Sequence, residues 1–279
     1  MIRLETGCRW LAMGFVALWL TACAQPPGNS PPPVASPTRA PMSMLWVGNS
    51  FFYYNNSMHG HVGLLLRASP EGGRGWRQTS ATISGSGLNW HDMEAQFKPG
   101  GMGSYSFNAK NEVVFNTGER ALPKLFDAVL MMDCSQCPIH PQLAPLFFET
   151  VARDSAIVRR HGAEPILFMS WAYQDAPEMT ASLADAYNKA AAANALRVVP
   201  AGPAFARSLA KRPDIVLHAS DKRHPSLAGT YLAAATVMAS VYRISPVGNS
   251  YTAGLPADVA MHLQGIADET VRDVEATRR

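Results

Sequence analysis

The sequence has few charged residues and no long stretch of one charge sign. Asp, Glu, Lys and Arg together make up 16% of its 279 residues. The formal net charge of +3 has no basic run behind it, and no cluster of Lys and Arg is interleaved with aromatic residues. A nucleic-acid-binding surface is therefore not predicted. Because 47% of the residues are hydrophobic, the composition indicates a globular protein and not a disordered chain.

The sequence also lacks an internal repeat at a fixed period, which disfavours solenoids and propellers. Its N-terminal apolar run, Trp10 to Leu20, has 11 residues, whereas a membrane-spanning helix needs about 20. A run of this length, preceded by Arg3 and Arg9, is typical of the apolar core of a secretory signal.

The end of this run predicts a lipid anchor. Leu20-Thr21-Ala22-Cys23 resembles the lipobox of bacterial lipoproteins, and the resemblance implies cleavage before Cys23 and acylation of its thiol. Ala24 follows where an aspartate would imply retention in the inner membrane, so we expect an outer-membrane anchor facing the periplasm. An ordinary signal peptide with an incidental cysteine is the alternative.

The next segment is rich in proline, with at least seven prolines between residues 24 and 41. Such a stretch cannot bury a core and forms an extended tether. We therefore predict a signal peptide over residues 1–22, a tether over 23–41 and one folded domain over 42–279.

Within the folded part, short apolar runs alternate with helical patterns. Strands are predicted at residues 44–47, 78–83, 128–132, 165–170 and 196–199, and helices at 57–68, 147–161, 181–195, 226–242 and 257–274. This alternation predicts an α/β fold, a flavodoxin-like three-layer sandwich with a central five-stranded parallel sheet. Residues 98–118 are predicted to be irregular, and 100–118 is a candidate lid.

Three polar groups lie at the ends of predicted elements. Ser50 follows the first strand, while Asp221 and His224 lie just before an apolar helix. Ligands of parallel sheets gather at the carboxyl ends of the strands. A serine, a histidine and an aspartate in such places can perform acyl transfer, because the imidazole takes the serine proton and the carboxylate orients the imidazole. Each motif alone has a simpler interpretation, as a plain turn or a helix N-cap.

Three motifs in order resemble blocks of the SGNH/GDSL hydrolase superfamily. Gly48-Asn49-Ser50 resembles the first block with Asn in place of the usual Asp, Ile83-Ser84-Gly85 the second, and Asp221-Lys222-Arg223-His224 the last. The third block departs from the family, since Met132 to Gln136 stands where Gly-x-Asn-Asp is expected.

The resemblance implies a serine ester hydrolase that needs no cofactor or metal ion. Ser50 would be the nucleophile, His224 the general base and Asp221 its partner. The oxyanion hole would consist of the backbone N–H groups of Ser50 and Gly85 and the side chain of Gln136. An acyltransferase with the same triad and a non-catalytic glycan-binding lipoprotein remain alternatives.

Several aromatic and amide side chains near these motifs indicate the substrate. The predicted substrate-binding residues are Asn49, Phe51, Tyr54, Trp90 and Trp171. Aromatic faces stack on sugar rings, so an acetyl ester of a polysaccharide is the expected substrate. A lipid or another short-chain acylated molecule is the alternative.

The pair Cys134 and Cys137 permits three interpretations: a redox pair, part of a zinc site with His140, or a structural disulfide. The disulfide suits an oxidising compartment. His59 and His61 have no carboxylate nearby in sequence and are interpreted as surface or pocket-lining residues.

Overall fold

The computed structural model describes residues 39–72, 75–98, 104–107, 113–116 and 124–277. The predicted signal peptide, Cys23 and all but the end of the tether lie outside these residues, as does most of the candidate lid. None of the helices in the described part of the chain is long and apolar enough to cross a membrane.

A five-stranded sheet forms the centre of the fold. Its strands are β1 (Ser43–Gly48), β2 (Arg77–Thr82), β5 (Ala128–Met131), β6 (Glu164–Phe168) and β7 (Arg197–Val199). They lie in the order β2-β1-β5-β6-β7, and every neighbouring pair is parallel. Two further strands, β3 (Ser104–Phe107) and β4 (Val113–Asn116), form a separate antiparallel pair.

Both faces of the central sheet are covered by helices. The helices are α1 (Ser50–Tyr53), α2 (Met58–Ala68), α3 (Ala144–Arg160), α4 (Met179–Asn194), α5 (Ala201–Lys211), α6 (Leu227–Val237) and α7 (Ala257–Thr277). Residues of α2, α5, α6 and α7 share one apolar cluster with one face of the sheet, and residues of α3 and α4 share a second cluster with the other face. The predicted three-layer α/β fold is therefore confirmed.

Strands β1, β5, β6 and β7 are apolar on both faces because each face is buried, whereas the edge strand β2 is polar and half-buried. In β1, Met44 and Trp46 belong to one cluster while Leu45 and Val47 belong to the other, and all four side chains are inaccessible to solvent. A strand covered on both sides is a continuous apolar run without alternation. This explains why the sequence predicts these strands well.

The structure differs from the sequence prediction at three places. Strands β3 and β4 lie in the stretch predicted to be irregular, and helices α1 and α5 were not predicted. Gly202 and Pro203 near the start of α5 are residues that usually end a helix. Pro203 is tolerated there because the first turn of a helix leaves its N–H groups unpaired. Gly202 is required by packing, since a Cβ atom would lie 2.5 Å from the carbonyl oxygen of Ser170.

The strand order sets the position of the site. β1 is flanked by β2 on one side and β5 on the other, so the chain changes direction across the sheet between β1 and β5. Parallel sheets bind ligands in the crevice at the carboxyl ends of the strands at such a reversal. Ser50, which follows β1, and Asp133, which follows β5, lie at this edge.

Candidate active site

Ser50 is presented by a tight turn between β1 and α1. The turn begins at Gly48, where a Cβ atom would lie 2.8 Å from Cδ2 of Phe52. Asn49 is the N-cap of α1, and its Oδ1 accepts a hydrogen bond from the backbone N–H of Phe51 at 3.1 Å. Ser50 is therefore the first residue of the helix, where its backbone N–H has no partner within the helix.

Ser50, His224 and Asp221 form a continuous hydrogen-bonded series. The Oγ atom of Ser50 lies 2.8 Å from Nε2 of His224, and Nδ1 of the same imidazole lies 2.5 Å from Oδ2 of Asp221. Oδ1 of Asp221 accepts hydrogen bonds from the backbone N–H groups of Arg223 and His224, each at 3.0 Å. The three residues predicted as a triad are thus brought together from the two ends of the folded chain.

The electrostatic environment keeps Asp221 ionised. Its hydrogen bond with His224, followed by those with the backbone N–H groups, lowers the pKa of the carboxyl group to about 2. The side chains remain accessible, with 44% of Asp221 and 23% of His224 exposed. Because Asp221 is an acceptor on both oxygens, the imidazole is oriented with Nε2 toward the serine.

Aromatic rings hold the imidazole of His224 from two directions. Tyr54 stacks on it with ring centroids 4.1 Å apart and an interplanar angle of 7°, and Phe51 approaches edge-on at 5.2 Å. Trp171 in turn stacks on Phe51 at 4.9 Å and donates a hydrogen bond from Nε1 to the carbonyl of Arg223. The loop that carries His224 is therefore fixed through both its backbone and its ring.

The side chain of Asn49 joins three loops at the carboxyl edge of the sheet. Its Nδ2 donates to the carbonyl of Ser86 at 3.0 Å and to the carbonyl of Asp133 at 3.2 Å, while Oδ1 caps α1. Asn49 is only 5% exposed. The hydrogen-bonding groups of its side chain are occupied by partners within the protein, and the contact of Asn49 with a substrate stays a prediction.

The predicted oxyanion donors are two backbone N–H groups and one side chain, and their surroundings differ. Among the described residues, the backbone N–H groups of Ser50 and Gly85 have no hydrogen-bond partner, and Gly85 has a φ of +70° that favours glycine. The Gln136 side chain is exposed, and it makes no hydrogen bond in the described part of the chain. The role of Gln136 as third donor remains a prediction.

The loop after β5 is closed by a disulfide between Cys134 and Cys137. Disulfide sulfurs carry no thiolate to bind zinc, so the structure favours the structural interpretation over the zinc site. The preceding Asp133 is buried and accepts hydrogen bonds from the N–H groups of Leu88 and Cys134. Burial raises the pKa of the Asp133 carboxyl group despite these two bonds.

Other predicted site residues lie at different depths. Trp171 is fully buried and Phe51 is 5% exposed, so both support the site from beneath and offer little or no surface to a substrate. Tyr54 is partly exposed, and Trp90 is 61% exposed in the loop after Gly85.

His61 is not a surface residue, because it is 5% exposed and its ring nitrogens lie 2.7 Å from the hydroxyl of Tyr251 and the carbonyl of Asn55. His59 lines a separate cavity of about 590 Å³.

Two hydrogen-bonded pairs near the site were not predicted from the sequence as pairs. The hydroxyl of Tyr53 donates to Oγ of Ser84 at 3.0 Å, and the hydroxyl of Tyr173 lies 2.7 Å from Oγ of Ser135. The sequence places each of these residues near a motif of the site, but their pairing joins residues distant in sequence and depends on the tertiary structure.

The chain matches no family model, and no curated protein sequence matches it. Among solved structures, it resembles a DUF4886 family protein from Bacteroides uniformis with a TM-score of 0.57 and 17% identity, covering 82% of this chain and 94% of that one. It also resembles a proposed SGNH hydrolase from Slackia heliotrinireducens with a TM-score of 0.53 and 22% identity, covering 72% and 98%. Axe2, an acetylxylan esterase from Geobacillus stearothermophilus, aligns in a mutant form at a lower TM-score of 0.48. At these identities the comparison shows that the chain shares the fold of the first two proteins.

Proposed function

We propose that this protein is a serine ester hydrolase that cleaves short-chain acyl esters. The observation that carries the proposal is the unbroken series from Ser50 Oγ through the His224 imidazole to Asp221, at 2.8 Å and 2.5 Å. These are the contacts that a general base needs in order to take a proton from a hydroxyl nucleophile.

In the acylation step, Ser50 Oγ attacks the ester carbonyl while its proton moves to Nε2 of His224. The resulting imidazolium is stabilised by the ionised Asp221. The negative charge on the carbonyl oxygen is stabilised by the unpaired N–H groups of Ser50 and Gly85. One such donor is typically worth about 3–4 kcal/mol in the transition state. Collapse of the tetrahedral intermediate breaks the ester bond, and His224 returns the proton to the leaving alcohol.

The deacylation step repeats this sequence with water. His224 takes a proton from a water molecule, and the hydroxide attacks the acyl group on Ser50. Collapse of this second tetrahedral intermediate breaks the bond between the acyl group and Ser50 Oγ, His224 returns its proton to Oγ, and the free carboxylic acid leaves. An added alcohol that replaced water at this step would turn the same site into an acyltransferase.

The surface around Ser50 supports an acetylated carbohydrate as substrate. Tyr54 and Tyr53 stack at 5.8 Å, and Tyr53 and Trp90 are 36% and 61% exposed. Exposed aromatic faces beside a polar site suit the C–H faces of sugar rings. The substrate contacts would come from Tyr54, Tyr53 and Trp90, while the buried Trp171 and Phe51 would act as supports.

The decisive experiment compares wild type with Ser50→Ala and the control Ser57→Ala, which removes a partly exposed serine directly before α2. Hydrolysis of p-nitrophenyl acetate and of acetylated sugars should fall by at least about a thousandfold in Ser50→Ala and stay near the wild-type rate in the control. A fluorophosphonate probe should label Ser50 in the wild type. Undiminished turnover by folded Ser50→Ala would refute the proposal, and faster transfer to an added sugar than to water would make the protein an acyltransferase.

The cellular location of the protein is proposed from its N-terminal segment. Acylation of Cys23 and cleavage before it would anchor the protein in the outer membrane, with the proline-rich tether holding the folded domain in the periplasm. This location would give the folded domain access to envelope polysaccharides.

A further inference from the structure

Two groups of side chains adjoin the residues of the candidate site. In the first, the hydroxyl of Tyr53 donates to Ser84, and the ring of Tyr53 stacks on that of Tyr54. In the second, the hydroxyls of Ser135 and Tyr173 meet, and the guanidinium of Arg223 lies over the Tyr173 ring at 4.9 Å from its centroid. The first group is neutral and aromatic, while the second carries the positive charge of Arg223.

The backbone of Arg223 is held on both sides. Its N–H donates to Oδ1 of Asp221 at 3.0 Å, and its carbonyl accepts from Nε1 of Trp171 at 3.0 Å. The guanidinium is further restricted by the Tyr173 ring, an arrangement that stabilises a cation without neutralising it. Arg223 is thus a pre-positioned cation immediately before His224 in the chain.

The guanidinium of Arg223 is available to bind an anion, because the nearby carboxylates have other partners. Within the described residues, no carboxylate forms an ion pair with its exposed side chain. The neighbouring Lys222 pairs with Asp175 at 3.6 Å, and Asp221 is engaged by His224. Asp133 on the adjoining loop is buried, and it binds backbone N–H groups.

We propose that Arg223 makes the site selective for esters whose alcohol part carries a carboxylate, such as an O-acetylated sugar acid. This rests on the proposed ester hydrolysis. His224 must protonate the leaving alcohol, and Arg223 is its neighbour in the chain, so we assign the charge of Arg223 to the alcohol part of the substrate and not to the acyl part. A guanidinium presents paired N–H donors that match a carboxylate, and such charge-assisted hydrogen bonds are about twice as strong as neutral ones.

The test compares two substrates within each enzyme, so that a general loss of activity cancels. The substrates are an O-acetylated uronic acid methyl glycoside and the same compound with its carboxylate converted to the neutral amide. In wild type, kcat/KM should be higher for the acid by roughly tenfold. In Arg223→Gln this ratio should fall to about one, and in Arg223→Glu it should drop below one because like charges repel.

Lys222→Gln is the matched control, because it removes a neighbouring charge that is already paired with Asp175. Its ratio should equal that of wild type, and the wild-type preference should weaken as salt is raised. A wild-type ratio near one, or an unchanged ratio in Arg223→Glu, overturns the role of Arg223. If wild type hydrolyses neither substrate nor p-nitrophenyl acetate, the ester hydrolase proposal itself fails, and the two failures are thereby distinguished.

Discussion

Asn49 occupies the position at which the SGNH/GDSL motif that this segment resembles has an aspartate. Its Nδ2 donates to two backbone carbonyls, those of Ser86 and Asp133, while Oδ1 accepts from the N–H of Phe51. An ionised aspartate would point an oxygen at two carbonyl oxygens and could satisfy only the Phe51 contact. The amide is therefore required by the way the three loops meet in this protein.

Asn49→Asp should accordingly destabilise the fold even though the side chains have nearly the same shape. Loss of two buried hydrogen bonds, with a charge facing carbonyl oxygens, should lower the free energy of unfolding by about 2 kcal/mol or more at pH 8. Burial raises the pKa of a carboxyl group, and the protonated form can donate one bond, so the loss should shrink toward pH 5. Urea unfolding at the two pH values measures this.

Asn56→Asp is the control for this substitution, because Asn56 is exposed in the turn after α1. It should change the free energy of unfolding by no more than about 0.5 kcal/mol. A destabilisation in Asn49→Asp that was small, or that grew as the pH fell, would show that Asn49 does not hold the loops in the way described.

At the scale of elements, the disulfide loop connects the end of β5 with the loop after β2. Asp133 begins this loop and binds the N–H of Leu88, and Ser135 inside it contacts Tyr173. The disulfide joins residues only three positions apart. A cross-link over so short a loop restricts the unfolded chain little, so its larger effect should be on the shape of the loop.

The double variant Cys134→Ser/Cys137→Ser should therefore lose about 2 kcal/mol of unfolding free energy or less. Its kcat for ester hydrolysis should fall even under conditions where the variant is fully folded, because the loop carries Ser135 and the predicted donor Gln136. Dithiothreitol should reproduce both effects in wild type and leave the double variant unchanged. A double variant with the wild-type kcat would show that the disulfide does not contribute to ester hydrolysis.

At the scale of the whole molecule, the features that the sequence predicts correctly are those that depend on local sequence patterns. Strands β1, β5, β6 and β7 are found because each contains an apolar run that is buried on both faces, whereas the edge strand β2 is half-buried and is found from its alternation and the glycine-rich turn after it. Ser50, Asp221 and His224 are found because they directly follow a strand or precede a helix, and parallel topology brings such positions to one edge. Helix α5 is missed because the close approach of Gly202 to Ser170 is tertiary, and local propensity opposes it.

The depth of a side chain is also a tertiary property. Trp171, Phe51 and Asn49 look like substrate contacts in the sequence, whereas packing places them under the site. The pairs Tyr53–Ser84 and Ser135–Tyr173 depend on which loops adjoin across the sheet. The order of the strands in the sheet determines which loops are neighbours, and this order cannot be predicted from any single segment of the sequence. The charge of Arg223 was visible in the sequence, but its place over Tyr173 was not.

The proposed outer-membrane anchor concerns the whole chain, and it can be tested separately from catalysis. Cys23→Ser should abolish incorporation of a labelled fatty acid and move the protein from the detergent phase to the aqueous phase, because the acyl chains alone would hold it at the membrane. The activity of the folded domain should be unchanged, since the triad lies entirely within residues 39–277. Cys8→Ser is the matched control within the predicted signal peptide and should leave labelling intact. Equal labelling of wild type and Cys23→Ser would refute the lipobox assignment and leave the ester hydrolase proposal untouched.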